Sequence, residues 1–166
     1  SPAPTALEPR TVQAEPGQRV LIQLNEGEVL LTGTDAGELR VEGVTIASDQ
    51  TNYSVEQYGD EIRIIANYSG GGANVAPLRL EVSLPHGLTV RVETEAAAIT
   101  VHDFNGDLVA ASTSGNILLE RIQGSIAARS SRSSLSVASM RARLKSETGK
   151  PWTISYLPFV QRRGKE

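Results

Sequence analysis

Two histidines, a few neighbouring carboxylates and a late run of arginines are the side chains of this 166-residue chain that could do chemistry. His102 is followed by Asp103, which would suit a base with an orienting acid. Adjacent residues on a strand point to opposite faces, however, so the two do not share a site there. His86 sits in the turn Leu84-Pro85-His86-Gly87 and reads as an exposed polar residue. Asp60-Glu61 and the pair Glu93 and Glu95 are the nearest carboxylates. Glu93 and Glu95 fall on one face of a strand, where they would bind a cation weakly, and a solvated face is the plainer reading. A glycosidase or polysaccharide lyase needs two carboxylates across a concave cleft built on long insertions. Residues 88–150 contain no such insertion. "SGGGA" is followed by no Lys-Ser or Lys-Thr and is not a phosphate loop. The absence of cysteine excludes disulfides, thiol catalysis and cysteine-based metal sites. The expectation is a protein that is not an enzyme, with no catalytic residue, no metal and no cofactor.

Charge is segregated along the chain. Residues 1–120 carry 6 basic and 17 acidic side chains, a net of −11, and residues 121–166 carry 10 basic and 2 acidic, a net of +8. The basic residues Arg121, Arg129, Arg132, Arg141, Arg143 and Lys145 form a candidate partner-binding surface. Aromatics do not interleave with them, so no specific nucleic acid is expected. Three readings stay open: a solvated surface, orientation against an anionic polymer, lipid or partner domain, and head-to-tail association of acidic and basic ends.

What positions these groups is a repeat. Val90, Leu108, Ile126 and Leu144 recur every 18 residues, as do Val92, Ala110, Ala128 and Ser146. Thr94, Ser112, Ser130 and Thr148 form a third column; Ile99, Ile117 and Leu135 a fourth; Val101, Leu119 and Val137 a fifth; Phe104, Ile122 and Met140 a sixth. Within each unit the apolar positions alternate with period 2, which specifies strands. "STSGN" and "SSRSS" supply the turns between them. Low aromatic content, 4%, suits thin β layers. A strand pair repeating at a short fixed period predicts an all-β parallel β-solenoid (β-helix) with coils of about 18 residues. Residue i then stacks on i+18, so Asp103 should meet Arg121, His102 should meet Glu120, and Arg129 should meet Glu147. Stacked inward hydroxyls should bond to one another or to turn backbone.

The rest of the chain varies the theme. "GEVLLTGTDAGELRVE" echoes "GNILLERIQGSIAARS", aligning Gly27, Val29 and Leu31 with Gly115, Ile117 and Leu119. "NYSVEQYGDEIRIIANY" predicts a hairpin that protrudes from the solenoid or flanks it. It carries the triplets Asn52-Tyr53-Ser54 and Asn67-Tyr68-Ser69, read as chance occurrences rather than glycosylation sites. One domain is expected: an extended spacer over 1–17, irregular coils and the hairpin over 18–87, regular solenoid over 88–150, and a cap with a basic tail over 151–166. Trp152, Tyr156 and Phe159 are the expected cover of the last coil. No signal peptide and no transmembrane helix is visible.

These stretches resemble a known family. "LRLEVSLPHGLTVRVETEAAAITVHDFNGDL" followed by "ASTSGNILLERIQGSI" is similar to bacterial putative-adhesin domains of unknown function, related to the head domains of autotransporter-like adhesins. Leu84-Pro85-His86-Gly87 fills the family's turn and Thr113-Ser114-Gly115-Asn116-Ile117 its repeat signature. Glu95-Ala96-Ala97 and Arg132-Ser133-Ser134 depart from the Ser-Gly turn. The resemblance covers roughly residues 12–150, and it implies a β-solenoid of the bacterial envelope or surface, without ligand or catalytic residues. The resulting expectation is a non-enzymatic, extracytoplasmic, adhesin-like binding or scaffolding module. Its partner would be a protein, a glycan or an anionic envelope surface. The alternatives are a self-assembling solenoid of the bactofilin type and a carbohydrate-active β-helix enzyme.

Overall fold

The computed structural model describes residues 3–71 and 76–130 in full, and the backbone of the strands within 135–148, 153–156 and 161–163. The described elements are β1 (Thr5–Ala6), β2 (Arg10–Gln13), β3 (Arg19–Leu24), β4 (Glu28–Thr34), β5 (Glu38–Thr45), a single 3-10 turn (Ser48–Gln50), β6 (Thr51–Tyr58), β7 (Glu61–Tyr68), β8 (Leu78–Pro85), β9 (Thr89–Thr94), β10 (Ala98–His102), β11 (Asn105–Ser112), β12 (Ile117–Ser130), β13 (Leu135–Thr148), β14 (Thr153–Tyr156) and β15 (Gln161–Arg163). The protein is all-β, and among the described residues no helix is long and apolar enough to cross a membrane.

The columns read from the sequence are partners in parallel ladders. Val90 pairs with Leu108, Leu108 with Ile126, and Ile126 with Leu144. Ile99 pairs with Ile117 and Val101 with Leu119, and Ile117 continues to Leu135. β12 serves two ladders. Its first residues pair with β10 and its last with β11, and between them the chain turns a corner at Arg121, whose φ is +52°. Gly106, Gly124 and Ala142 stand opposite one another just past that corner.

The sheet is mixed rather than wholly parallel. β1 and β2 pair antiparallel with β5, β5 with β8, and β6 with β7. Part of the segment expected as a spacer therefore belongs to the sheet, with Leu7 and Ala14 buried. The expected hairpin is present as β6 and β7 and flanks the parallel ladders. β7 lies directly against β3, and β6 is the outer strand.

The order of strands in space is not the order in the chain. β3 lies between β7 and β9, and β4 lies between β8 and β10. The β3–β4 unit is thus inserted between two units that follow it in sequence. One inward column consequently runs Ile62, Val20, Val90, Leu108, Ile126, and another runs Leu80, Val29, Ile99, Ile117. The echo of Val29 and Leu31 in Ile117 and Leu119 is a shared column, two strands apart.

Inward residues from both halves of the curled sheet form one core. Ile22, Leu31, Ile64, Val92, Ile99, Val101 and Leu119 are all fully buried. Each such side chain contributes about 1.5–3 kcal/mol relative to exposure, before conformational entropy is counted. The hydroxyl column is buried too, and it is bonded as expected. The hydroxyls of Thr94 and Ser112 lie 2.8 Å apart, the Gly115 N–H donates to Ser112 Oγ at 2.7 Å, and the Ala97 carbonyl accepts from Thr94. These bonds offset the cost of removing the hydroxyls from water. Trp152 and Phe159 of the expected cap lie outside the described residues, whereas Tyr156 ends β14 with its backbone opposite Ala138.

Candidate binding surfaces

The insertion of β3 brings together side chains that are far apart in sequence. Gln23 lies in β3 and Asn25 just after it, Asn67 is the penultimate residue of β7, and Glu93 lies in β9 with Glu95 just after it. Together with Leu24 and Thr94 they line an open cleft of about 310 Å³ at the turn edge of the sheet. Asn25 is its fixed point. Its Nδ2 donates to the Tyr68 carbonyl at 2.7 Å, and its Oδ1 accepts from the N–H groups of Tyr68 and Glu26, each at 2.9 Å. Glu93 is held from two sides, by Gln23 Nε2 at 3.3 Å and by Arg91 Nε at 3.3 Å. Glu95 and Asn67 are exposed. The cleft therefore offers a carboxylate and a primary amide beside a rigid polar wall. The sequence alone reads Glu93 and Glu95 as a solvated face and gives no sign of Gln23, Asn25 and Asn67 beside them, because no sequence period connects them to that pair.

A second polar group occupies the corner. Asp103 and Arg121 both have left-handed backbones, with φ of +58° and +52°. They stack one strand apart, and the guanidinium donates to both carboxylate oxygens, at 2.6 and 3.2 Å. Arg121 also reaches Glu120 at 3.3 Å. His102 stands opposite Glu120, with Nδ1 3.7 Å from the carboxylate. His102 and Asp103 thus face different partners, as strand geometry requires. His86 Nδ1 accepts from the Asn105 N–H at 3.2 Å, and its Nε2 is 3.4 Å from Asp35. Asp60 and Glu61 both lie beside Arg19, at 3.0 and 3.7 Å.

The Arg121 guanidinium, hydrogen-bonded to Asp103, holds that carboxyl below the usual carboxylate range. A depressed folded-state value means that the pair stabilises the fold above the unfolded-state value near pH 4 and loses that effect as pH falls through the folded value. Asp103→Asn keeps a side chain that tolerates the left-handed backbone. The variant is expected to melt slightly below the parent at neutral pH, with the gap closing below about pH 4. Thermal melts across that range check this; a gap independent of pH would contradict it.

Of the six basic residues singled out from the sequence, Arg121 is committed to Asp103 and Glu120. Arg129 is exposed on β12, opposite Glu147 in backbone register. Arg141, Arg143 and Lys145 fall on β13, beside Gln123, Ser125 and Ala127 of β12. Their side chains, and Arg132, lie outside the described residues. Counted from the β6–β7 hairpin through β3, β9 and β11, the strands β12 and β13, which carry Arg121, Arg129, Arg141, Arg143 and Lys145, come next after β11.

No family model matches the chain, and no curated protein does. Among solved structures, a "putative cell adhesion protein" from Clostridium sporogenes has the same fold. Its TM-score is 0.65, with 97% of this chain and 100% of that one covered at 8% identity. A "putative adhesin" from Bacteroides fragilis gives a TM-score of 0.35 at 10% identity over 98% and 99% of the two chains. A "putative lipid binding protein" from Parabacteroides distasonis gives 0.34 at 10% over 95% and 96%.

Proposed function

We propose that this chain is a non-enzymatic, extracytoplasmic β-solenoid that works as an adhesin-like binding module. In this reading, the basic residues Arg121, Arg129, Arg132, Arg141, Arg143 and Lys145 present one end of the solenoid to an anionic envelope polymer. One observation carries it. The 18-residue register runs through the β9, β11, β12 and β13 ladder, so from β9 onward sequence order is position along the stack. The basic excess of residues 121–166, a net of +8 against −11 for residues 1–120, then follows β12 and β13 toward one end of that ladder. Such a field orients a charged partner at separations up to about a Debye length. The fold shared with a protein named for cell adhesion supports the same reading. The bactofilin-type alternative is less well supported, because antiparallel β1, β2, β5 and β6 interrupt the parallel ladder at the hairpin end. Binding to immobilised polyphosphate and to vesicles containing an anionic lipid tests the proposal. Saturable binding is expected, weakening at least tenfold from about 0.05 to 0.5 M salt and in the triple variant Arg129→Gln, Arg141→Gln, Arg143→Gln. Binding that ignores both changes, or hydrolysis of a polysaccharide panel, would overturn it.

A further inference from the structure

We infer that the cleft lined by Gln23, Asn25, Asn67, Glu93 and Glu95 is a glycan-binding site for uncharged or amino-bearing pyranose chains. The inference rests on the adhesin-like reading and assigns it a second, separate surface. Sugar hydroxyls need both donors and acceptors held in place, and planar amides and carboxylates provide them. The Asn67 amide offers a donor and an acceptor, and the Glu95 carboxylate two acceptor oxygens. Among the described residues neither side chain has a hydrogen-bond or ion-pair partner, so neither has to give one up to bind. Gln23 and Glu93 are already bonded to each other, and Arg91 braces Glu93. Asn25 is fixed by three hydrogen bonds. The wall is therefore organised before a ligand arrives, which limits the ordering cost of binding.

Spacing supports the same class. Asn67, Gln23 with Asn25, and Glu93 with Glu95 come from β7, β3 and β9, three neighbouring strands. Neighbouring strands lie about 4.8 Å apart, a step comparable with the length of one sugar ring. A chain lying across these strands would meet a new polar group at each residue. Charge sets the selectivity. Glu93 and Glu95 repel carboxylated or sulfated sugars and favour neutral or amino sugars. This is the opposite preference to that of the basic end, so the two surfaces can be told apart.

Calorimetric titration of the full chain with four oligomers provides the test: an N-acetylglucosamine hexamer, a β-glucan hexamer, a glucosamine hexamer and a galacturonate hexamer. At least one of the first three is expected to bind, with the galacturonate oligomer at least tenfold weaker. The exposed substitutions Asn67→Ala and Glu95→Gln together should weaken that binding at least tenfold while leaving the melting temperature unchanged. The basic-end triple variant should bind the same oligomer as the parent does. The inference is overturned if only the galacturonate oligomer binds, if none binds, or if the cleft variants bind normally. Polyphosphate binding by the basic end stands or falls independently of these outcomes.

Discussion

Gly124→Ala is expected to destabilise the protein by about 2–4 kcal/mol, against about 1 kcal/mol for Gly17→Ala. Both glycines have positive φ, +109° and +91°, so both substitutions strain the backbone of an L-residue. They differ in what surrounds them. A Cβ at Gly17 would meet nothing within 4 Å, whereas a Cβ at Gly124 would lie inside van der Waals contact of the Gly106 carbonyl oxygen. That oxygen is main chain of the adjacent ladder strand and cannot swing aside as a side chain would. Gly106 and Gly124 are opposite each other on β11 and β12. Relief therefore requires the two strands to separate, which would weaken the neighbouring Leu108–Ile126 contact. Urea midpoints of the two variants, with unchanged slopes, give the comparison. Equal losses would mean that the corner glycine is present for its dihedral angle alone, and that the two strands give way there without cost.

The legible part of the fold is the part where spatial neighbours are separated by a constant number of residues. From Val90 onward each column repeats every 18 positions, so alignment of the sequence with itself exposes the ladder. The stacking of Asp103 on Arg121 follows from the same period. The insertion of β3 and β4 leaves no such trace. Gln23 meets Glu93 across 70 positions, and Asn25 meets Tyr68 across 43. Neither interval is a multiple of the repeat, so the apolar alternation of β3 shows only that it is a strand. Alternation specifies a buried face and not a partner. The cleft was hidden for this reason: Glu93 and Glu95 were visible as a carboxylate pair, but nothing in the sequence placed two asparagines and a glutamine beside them. The antiparallel strands at the hairpin end were half-hidden. "YGDE" marks a turn between β6 and β7, whereas the pairing of β1 and β2 with β5 joins short segments of low apolar content.

Asn25 is where the inserted unit is tied down, and Asn25→Ala is expected to cost about 2–3 kcal/mol. The substitution removes the donor to the Tyr68 carbonyl and the acceptor shared by the Tyr68 and Glu26 N–H groups. All three partners are backbone groups in a part-buried position. Water can reach some of them, which keeps the cost below the sum of three fully buried losses. Asn25→Asp preserves both accepting bonds but turns a carboxylate oxygen toward the Tyr68 carbonyl in place of the donor, so its loss should approach that of the alanine variant without exceeding it. A surface asparagine in an unattached turn would show neither the size nor the ordering of these effects, because its substitution would leave no backbone group unpaired. Hydrogen exchange locates the cause. The Tyr68 and Glu26 amides should exchange markedly faster in Asn25→Ala, while the Gly115 amide, bonded to Ser112 two strands further along the same edge, should keep its protection relative to global stability. If all three amides accelerate together, or Tyr68 stays protected, then β3 does not depend on this side chain for its place beside β7, and some other contact holds the inserted unit in the sheet.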